Sequence, residues 1–333
     1  MQVRADGRQW ALLTPGGVQL HAFEPPVPRE FAEDLGSRLR FAAFSADGRW
    51  LAASADERLG VWDLARPGPG ALTADGVEAS PYWSPDGREL FGSRRDQACL
   101  RWRVVPAPEH GLAPRLEPLE LARPAGFTWF SVNGDQAAWT TTRGSQVVGL
   151  DQLLPRDDGW IRTAPGMNGI SPDRRWLAIY QGYTSSLHVY HLPSLEPAAR
   201  LDCLAAIAGF QFSPMGDEVA VASRGQVEFW SIGDWRRTRV LTNFAGIPHV
   251  GVLVQPDGRG WWLAPEARFA CLYTAGSLAP QLPLPSALAP LALSPDGRQL
   301  AVSVEARRLQ VWDLQEVRRH LQALGLDWAD AGH

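Results

Sequence analysis

Lysine is absent from this chain: all 32 basic residues are arginine, against 36 acidic ones, for a formal net charge of −4. The arginines are spread along the whole length rather than gathered into a stripe. They read as a compositional bias and give no general attraction to nucleic acid or to an anionic membrane. Cysteine is scarce too. Cys99, Cys203 and Cys271 are too few and too scattered for a disulfide framework or a zinc site. Cys99 and Cys271 fall in predicted strands as small apolar residues, and reduced thiols are expected. A charge-free stretch from Phe269 to Pro295 carries Pro280, Pro283, Pro285 and Pro290, which would repeatedly break a membrane helix. Met1 to Asp6 does not read as a secretory signal. A soluble, cytoplasmic protein that does not insert into membranes is the expectation.

Catalytic signatures are missing as well. There is no Gly-x-Ser-x-Gly elbow and no His-Glu-x-x-His helix, and Gly68-Pro69-Gly70 lacks the full dinucleotide pattern. The histidines at 21, 110, 188, 191, 249, 320 and 333 are scattered. His188 and His191 point to opposite faces of one predicted strand, and His249 reads as structural. No catalytic, cofactor-binding or metal-binding residue is assigned, no cofactor is expected, and the chain is not expected to be an enzyme.

What is present is one turn, repeated. Ser45-Ala46-Asp47-Gly48, Ser84-Pro85-Asp86-Gly87, Ser131-Val132-Asn133-Gly134, Ser171-Pro172-Asp173-Arg174, Ser213-Pro214-Met215-Gly216, Gln255-Pro256-Asp257-Gly258 and Ser294-Pro295-Asp296-Gly297 follow one another, with Arg4-Ala5-Asp6-Gly7 as an eighth copy at the N-terminus. The steps between them run from 39 to 47 residues. Pro pre-sets φ, Asp bonds the local backbone and Gly supplies positive φ, so each copy joins two strands. Short apolar runs flank the turns, and a second turn leads to a third strand such as Leu59 to Leu64 or Leu309 to Leu314. A period near forty built from such meanders predicts an all-β fold, a β-propeller. Each unit needs its neighbours to bury its faces, so residues 1–314 are read as one domain. Eight turn units and eight third strands, the first being Val18 to Phe23, predict eight blades. The first would begin at Met1 to Val3 and the last would hold only three strands. Seven blades, with an N-terminal strand closing the last, is the alternative.

The longest step leaves a proline-rich connection, Val104 to Gly126, with an outer strand expected from Arg115 to Leu121. Beyond residue 314 the pattern changes. Leu314, Val317, Leu321 and Leu324 repeat every three or four residues, and Gly325 can end a helix. Residues 315–328 are expected to form a helix and tail that cap the last blade. Trp312 is expected to be buried.

Third strands that end in Trp62-Asp63 and Trp312-Asp313, with echoes in Trp102-Arg103 and Trp230-Ser231, join the turns and the spacing in a pattern that resembles the WD-repeat family. The resemblance covers roughly residues 1 to 314 and implies a propeller that scaffolds protein complexes without catalysis. The family's Gly-His dipeptide is missing from every unit, so its buried Asp-His-Ser-Trp set cannot be completed. Ser54, Asp56 and Trp62 match three of those positions, and Ser303 with Trp312 match two. The tail, Val311-Trp312-Asp313-Leu314 through Trp328, is similar to the end of repeat domains attached to bacterial serine/threonine kinases. That likeness implies a sensory or interaction part of such a system, extracytoplasmic if cut from a membrane-anchored kinase. The chain itself has no strand lysine and no His-Arg-Asp loop. Pro81 to Arg88 is also similar to propeller repeats attached to serine peptidases or found in periplasmic binding proteins. A lactonase-like enzyme would need carboxylates or histidines facing the channel, where the first strands offer mainly Ala, Phe, Leu and Val.

The functional expectation is therefore a surface. Second turns and the approaches to first strands emerge together around the channel. That face would carry Asp56, Glu57, Arg94, Arg95, Arg143, Tyr183, Arg224, Glu266 and Arg307. Arg and aromatic groups dominate interface energetics, so this set is the candidate for binding a protein partner. The protein is expected to be a monomer when no partner is bound.

Overall fold

The repeated turn is locked by its own side chains. Ser45 Oγ donates to Asp47 Oδ1 at 2.5 Å and accepts the Trp50 N–H at 2.9 Å. Asp47 Oδ1 also accepts the Arg49 N–H at 3.0 Å, and Gly48 takes φ +70° while donating to the Ser45 carbonyl. The same set recurs at Ser84 with Asp86, Ser171 with Asp173 and Ser294 with Asp296. Ser is needed because one hydroxyl must both donate and accept; Asp is needed because a second acceptor must face the next N–H.

The computed structural model describes residues 2–3, 9–14, 17–22, 28–31, 35, 38–55, 58–66, 68–73, 81–93, 99–122, 126–152, 156–163, 166–181, 184–223, 225–242, 244–245, 252–265, 270–275, 280–285 and 288–323. Seven antiparallel sheets, each centred on one of these turns, form the seven blades of a propeller. Blade 1 spans residues 39–73, blade 2 82–122, blade 3 127–149, blade 4 167–202, blade 5 207–242 and blade 6 253–283. In blade 6 the short strand Phe244–Ala245 also pairs with Gly260–Pro265. Blade 7 joins residues 288–313 to the strand Arg29–Phe31. The outer strand expected in blade 2 is present as Arg115–Ala122.

Burial follows from this stacking. Alternate residues of each second strand face opposite neighbours. In blade 4, Trp176, Ala178 and Tyr180 join a cluster with blade 5, while Leu177 and Ile179 join one with blade 3. In blade 1, Trp50 and Ala52 face blade 2, while Leu51, Ala53 and Ala55 face blade 7. Seven apolar clusters result, one for each seam of the ring. Both faces of a blade are covered, so its strands are apolar on both sides.

The expectation of eight blades is corrected to seven. The N-terminal strands Gln2–Val3, Gln9–Thr14 and Gly17–Ala22 do form an antiparallel three-stranded sheet, but it is not a blade of the ring. Leu291 and Ala292 of blade 7 share one cluster with Leu39 and Leu51 of blade 1, and the Leu39 N–H donates to the Ala306 carbonyl at 2.8 Å. No blade fits between surfaces already in contact. Nor does the last blade hold only three strands. Arg29–Phe31 supplies the fourth, with Phe31 opposite Leu309 and Arg29 opposite Val311. Arg308 pairs with Glu30 at 3.0 Å across that register. Phe31 then packs on Trp62 of blade 1 with ring centroids 5.1 Å apart, and Arg29 donates to the carbonyls of Asp63 and Leu64. The ring is closed by residues from both ends of the chain.

Trp62 is fully buried. Its indole lies flat against Gly60 and Gly70, where any Cβ would overlap the ring. Trp312, at the matching place in blade 7, is only half-buried, which corrects the expectation that it is a core residue. Both aspartates that follow have structural tasks. Asp63 binds Arg49 at 2.7 Å. Asp313 accepts the N–H groups of Gln315 and Glu316 at 2.9 and 3.0 Å, which makes it the N-cap of the helix Leu314–Ala323. Leu314 and Val317 are the buried residues of that helix, and Leu314 joins the seam between blades 6 and 7. Residues 324–328 of the expected tail lie outside the described residues.

Candidate interaction site at the channel mouth

First strands line the centre of the ring and, from their starts to their ends at Val132, Ile170 and Phe212, wall a cavity. Arg40 and Phe41, Tyr82, Trp129, Met167 and Phe210, from blades 1 to 5, border a space of about 560 Å³. The start of each first strand is paired with the end of its second strand: Leu39 with Ala55, Phe127 with Thr141, Met167 with Tyr180, Ile207 with Ser223. The cavity is therefore bordered by the strand ends that lead into the second turns. In blades 1, 3 and 5 the register slips near these starts, around Arg40, Thr128 and Ala208. A bulge leaves one residue unpaired and re-aims it, and Arg40 and Ala208 both line the cavity.

The lining is mostly aromatic and apolar, with fixed polar points. Tyr180 donates its hydroxyl to the Ala208 carbonyl at 2.9 Å, with Met167 Sδ at 2.8 Å. Burial pushes this phenol up to about 12, so it stays a neutral donor at ordinary pH. Asn168 accepts the Ser131 hydroxyl at 2.5 Å and donates to Thr140 Oγ1 at 2.8 Å, all within the seam between blades 3 and 4. The described residues lining the cavity include no carboxylate and no imidazole. Among the described residues no group of three or more His, Cys, Asp or Glu could hold a metal ion. An apolar or aromatic side chain would fit such a lining.

Of the nine residues expected on this face, Asp56, Glu57, Arg94, Arg95, Tyr183, Arg224 and Glu266 lie outside the described residues. Arg143 and Arg307 are described, and both are exposed. Arg143 lies over the Trp160 ring at 5.2 Å and near Asp157 at 3.9 Å, on the rim of blade 3. Arg307 sits in the second turn of blade 7, which reaches positive φ at Glu305 and Ala306. His249 is also outside the described residues. Sequence reasoning missed Arg40, Trp129 and Met167, because the candidate face was drawn from the turns and the first strands were read only as offering mainly Ala, Phe, Leu and Val to the channel. The signal available was polarity and size: a guanidinium at the start of a strand beside two alanines, and a tryptophan and a methionine at the starts of two others.

Comparison with known proteins agrees with the geometry. The family model described as WD domain, G-beta repeat matches residues 36–63, which hold the first three strands of blade 1. No curated protein matches the chain. One blade of this propeller is thus similar to a WD repeat, a family whose propellers commonly scaffold protein complexes and are usually non-catalytic. The matched stretch is one unit of seven. Among the described residues no helix is long and apolar enough to cross a membrane.

Proposed function

We propose that this chain is a non-catalytic protein-interaction scaffold, monomeric on its own, whose protein partner docks across the channel mouth and the second turns around it. The observation that carries this reading is the cavity of about 560 Å³ edged by Trp129, Phe210, Met167 and Arg40. Aromatic residues, methionine and arginine are the types enriched at interface centres, and a concave apolar site can hold one anchoring side chain. Asp56, Glu57, Arg94, Arg95, Tyr183, Arg224 and Glu266, with Arg143 and Arg307, would form the surrounding rim.

The test is affinity capture from the source organism with wild type and with Trp129→Ala/Met167→Ala, after both proteins are shown to melt alike. A partner held stoichiometrically by wild type and lost from the variant supports the proposal. An unchanged set of partners refutes it. The same capture decides the narrower kinase-linked role implied by the tail, because a serine/threonine kinase would be among the retained proteins. The peptidase-like reading of Pro81 to Arg88 is less favoured. Trp83 donates to the Ala43 carbonyl at 3.0 Å and stacks near Trp50, a structural task between blades 1 and 2.

A further inference from the structure

Blade 3 departs from the other six. Among the described residues it has three strands, and the place of its fourth is held by a single bridge in which Ser145 and Ile161 exchange N–H···O bonds at 2.9 and 2.8 Å. The Gln146 amide anchors the loop leading there, accepting the Arg156 N–H at 2.6 Å and donating to the Asp158 carbonyl. Because no full strand covers the neighbouring face of blade 4, a cleft of about 340 Å³ remains between the two blades at the outer rim.

The wall of that cleft is fixed by register. Ile179, His188 and Arg200 are cross-strand neighbours in blade 4. Leu187 and Val189 face blade 5, so His188 and Tyr190 face blade 3. Arg200 gives Nε to Asp202 at 2.8 Å in an exposed ion pair and Nη2 to Ser186 Oγ at 3.1 Å; among the described residues Nη1 has no hydrogen-bond partner. Asp202 does not line the cleft. From the blade 3 side come Arg162 and Thr163. Among the described residues Arg162 has no carboxylate partner. Thr163 ends a chain of hydroxyls and an amide that begins at Ser131 in the channel wall. It passes Asn168, Thr140 and Ser145, with Ser145 Oγ to Thr163 Oγ1 at 2.8 Å. Either hydroxyl can donate in the Thr140–Ser145 and Ser145–Thr163 contacts, and Thr163 Oγ1 ends the chain at the cleft wall.

We infer that this cleft is a binding site for a phosphate monoester, separate from the channel mouth. Two arginines, an imidazole and the Tyr190 hydroxyl, with Thr163 Oγ1 beside them, offer more donors than the two oxygens of a carboxylate can use; the Ser186 hydroxyl is given to Asp202 at 2.8 Å. A tetrahedral dianion with three free oxygens matches them. The volume is at the small end for ligand sites, enough for the phosphate and part of the group that carries it. That group could be a free metabolite or a phosphorylated side chain of a protein; the recognised chemistry is the same.

Isothermal titration of the whole chain with inorganic phosphate, O-phosphoserine and a phosphoserine peptide tests this. Saturable one-to-one binding is expected, weakened at least about tenfold in Arg162→Gln and again in Arg200→Gln. Arg319→Gln, an exposed arginine on the C-terminal helix, should leave it unchanged. Tighter binding of the peptide than of the small molecules points to a phosphoprotein, and the reverse order to a metabolite; both support the site. Absence of saturable binding by all three overturns it, and so does binding that is equal in wild type and Arg162→Gln. Melting curves of the variants, expected to overlay wild type, separate lost binding from lost fold. The result does not depend on the channel-mouth proposal, whose variants leave the cleft intact.

Discussion

Trp62 and Trp312 occupy the same place in two units of one ring, yet the structure gives them different weights. Trp62→Ala removes a fully buried indole that rests on Gly60 and Gly70 and packs on Phe31 at 5.1 Å. Emptying such a site costs about 3–5 kcal/mol. Trp312 is only partly buried, with Nε1 bonded to Gln310 Oε1 at 3.1 Å, so its truncation should cost less, roughly 1.5–2.5 kcal/mol. Unfolding entropy of about 2.1 cal/mol/K per residue over 333 residues gives about 0.7 kcal/mol per degree. The expected falls in melting temperature are then about 4–7 °C for Trp62→Ala and about 2–4 °C for Trp312→Ala. Thermal melts followed by near-ultraviolet circular dichroism read both. Pairing Trp62→Ala with Phe31→Ala should show a coupling of about 0.5–1.5 kcal/mol, since the two rings meet across the closing seam. Equal losses at positions 62 and 312, or no coupling between 31 and 62, would refute this account of how the ring closes.

Deleting residues 1–31 should lower the melting temperature and cause self-association on size-exclusion chromatography. It exposes the edge of the strand Arg308–Asp313 and removes Phe31 from Trp62. Truncation after residue 314 should cost about 1–3 kcal/mol in a melt, from the lost burial of Val317, and leave the protein monomeric, because Arg29–Phe31 still covers the blade edge. The carboxyl of Asp86 is held below its ordinary range by the Ser84 hydroxyl, with the Arg88 N–H and guanidinium helping against the opposing effect of burial. Its contribution to stability is therefore complete above the ordinary carboxylate range and lost as pH falls through the lowered folded value. Melting temperature measured below about pH 4 should fall less steeply in Asp86→Asn than in wild type.

Local chemistry made the blades legible. The Ser-x-Asp-Gly turns carry their own hydrogen bonds, so the residues that make them announce them wherever they occur. The strands Leu39–Phe44, Ile207–Phe212 and Leu288–Leu293 begin and end where the apolar runs do. Ring closure was not legible in this way. The closing strand is three residues long, follows prolines rather than a repeat turn, and pairs with a strand 278 residues away in the Glu30 to Arg308 contact. Arg4-Ala5-Asp6-Gly7 imitates a unit, and counting turns alone therefore overcounts blades. The burial of Trp62 was hidden for the same reason. Its Trp-Asp motif is that of Trp312, and what tells them apart is Gly60 in place of Gln310 two residues earlier, together with the distant Phe31.

The position of the rim cleft shows a second limit, one of spacing rather than distance. The longest step in the repeat marked residues 104–126 as irregular, yet that segment supplies an ordinary outer strand to blade 2. The step from Ser131 to Ser171 is 40 residues, as regular as any, and it conceals a blade that lacks a full fourth strand among the described residues. Length is preserved there because a loop occupies the residues a strand would have used. The composition did carry a sign: Asp157-Asp158-Gly159 stands where the outer strands of blades 4 and 5 have Pro197 to Asp202 and Arg237 to Thr242. Acidic residues and glycine are poor strand formers, so the loop forms, Gln146 holds it, and the face of blade 4 with His188 and Arg200 is left accessible. A repeat's period reports how many residues each unit contains. Which unit has given up a strand to leave room for a ligand must be read from the residues inside it.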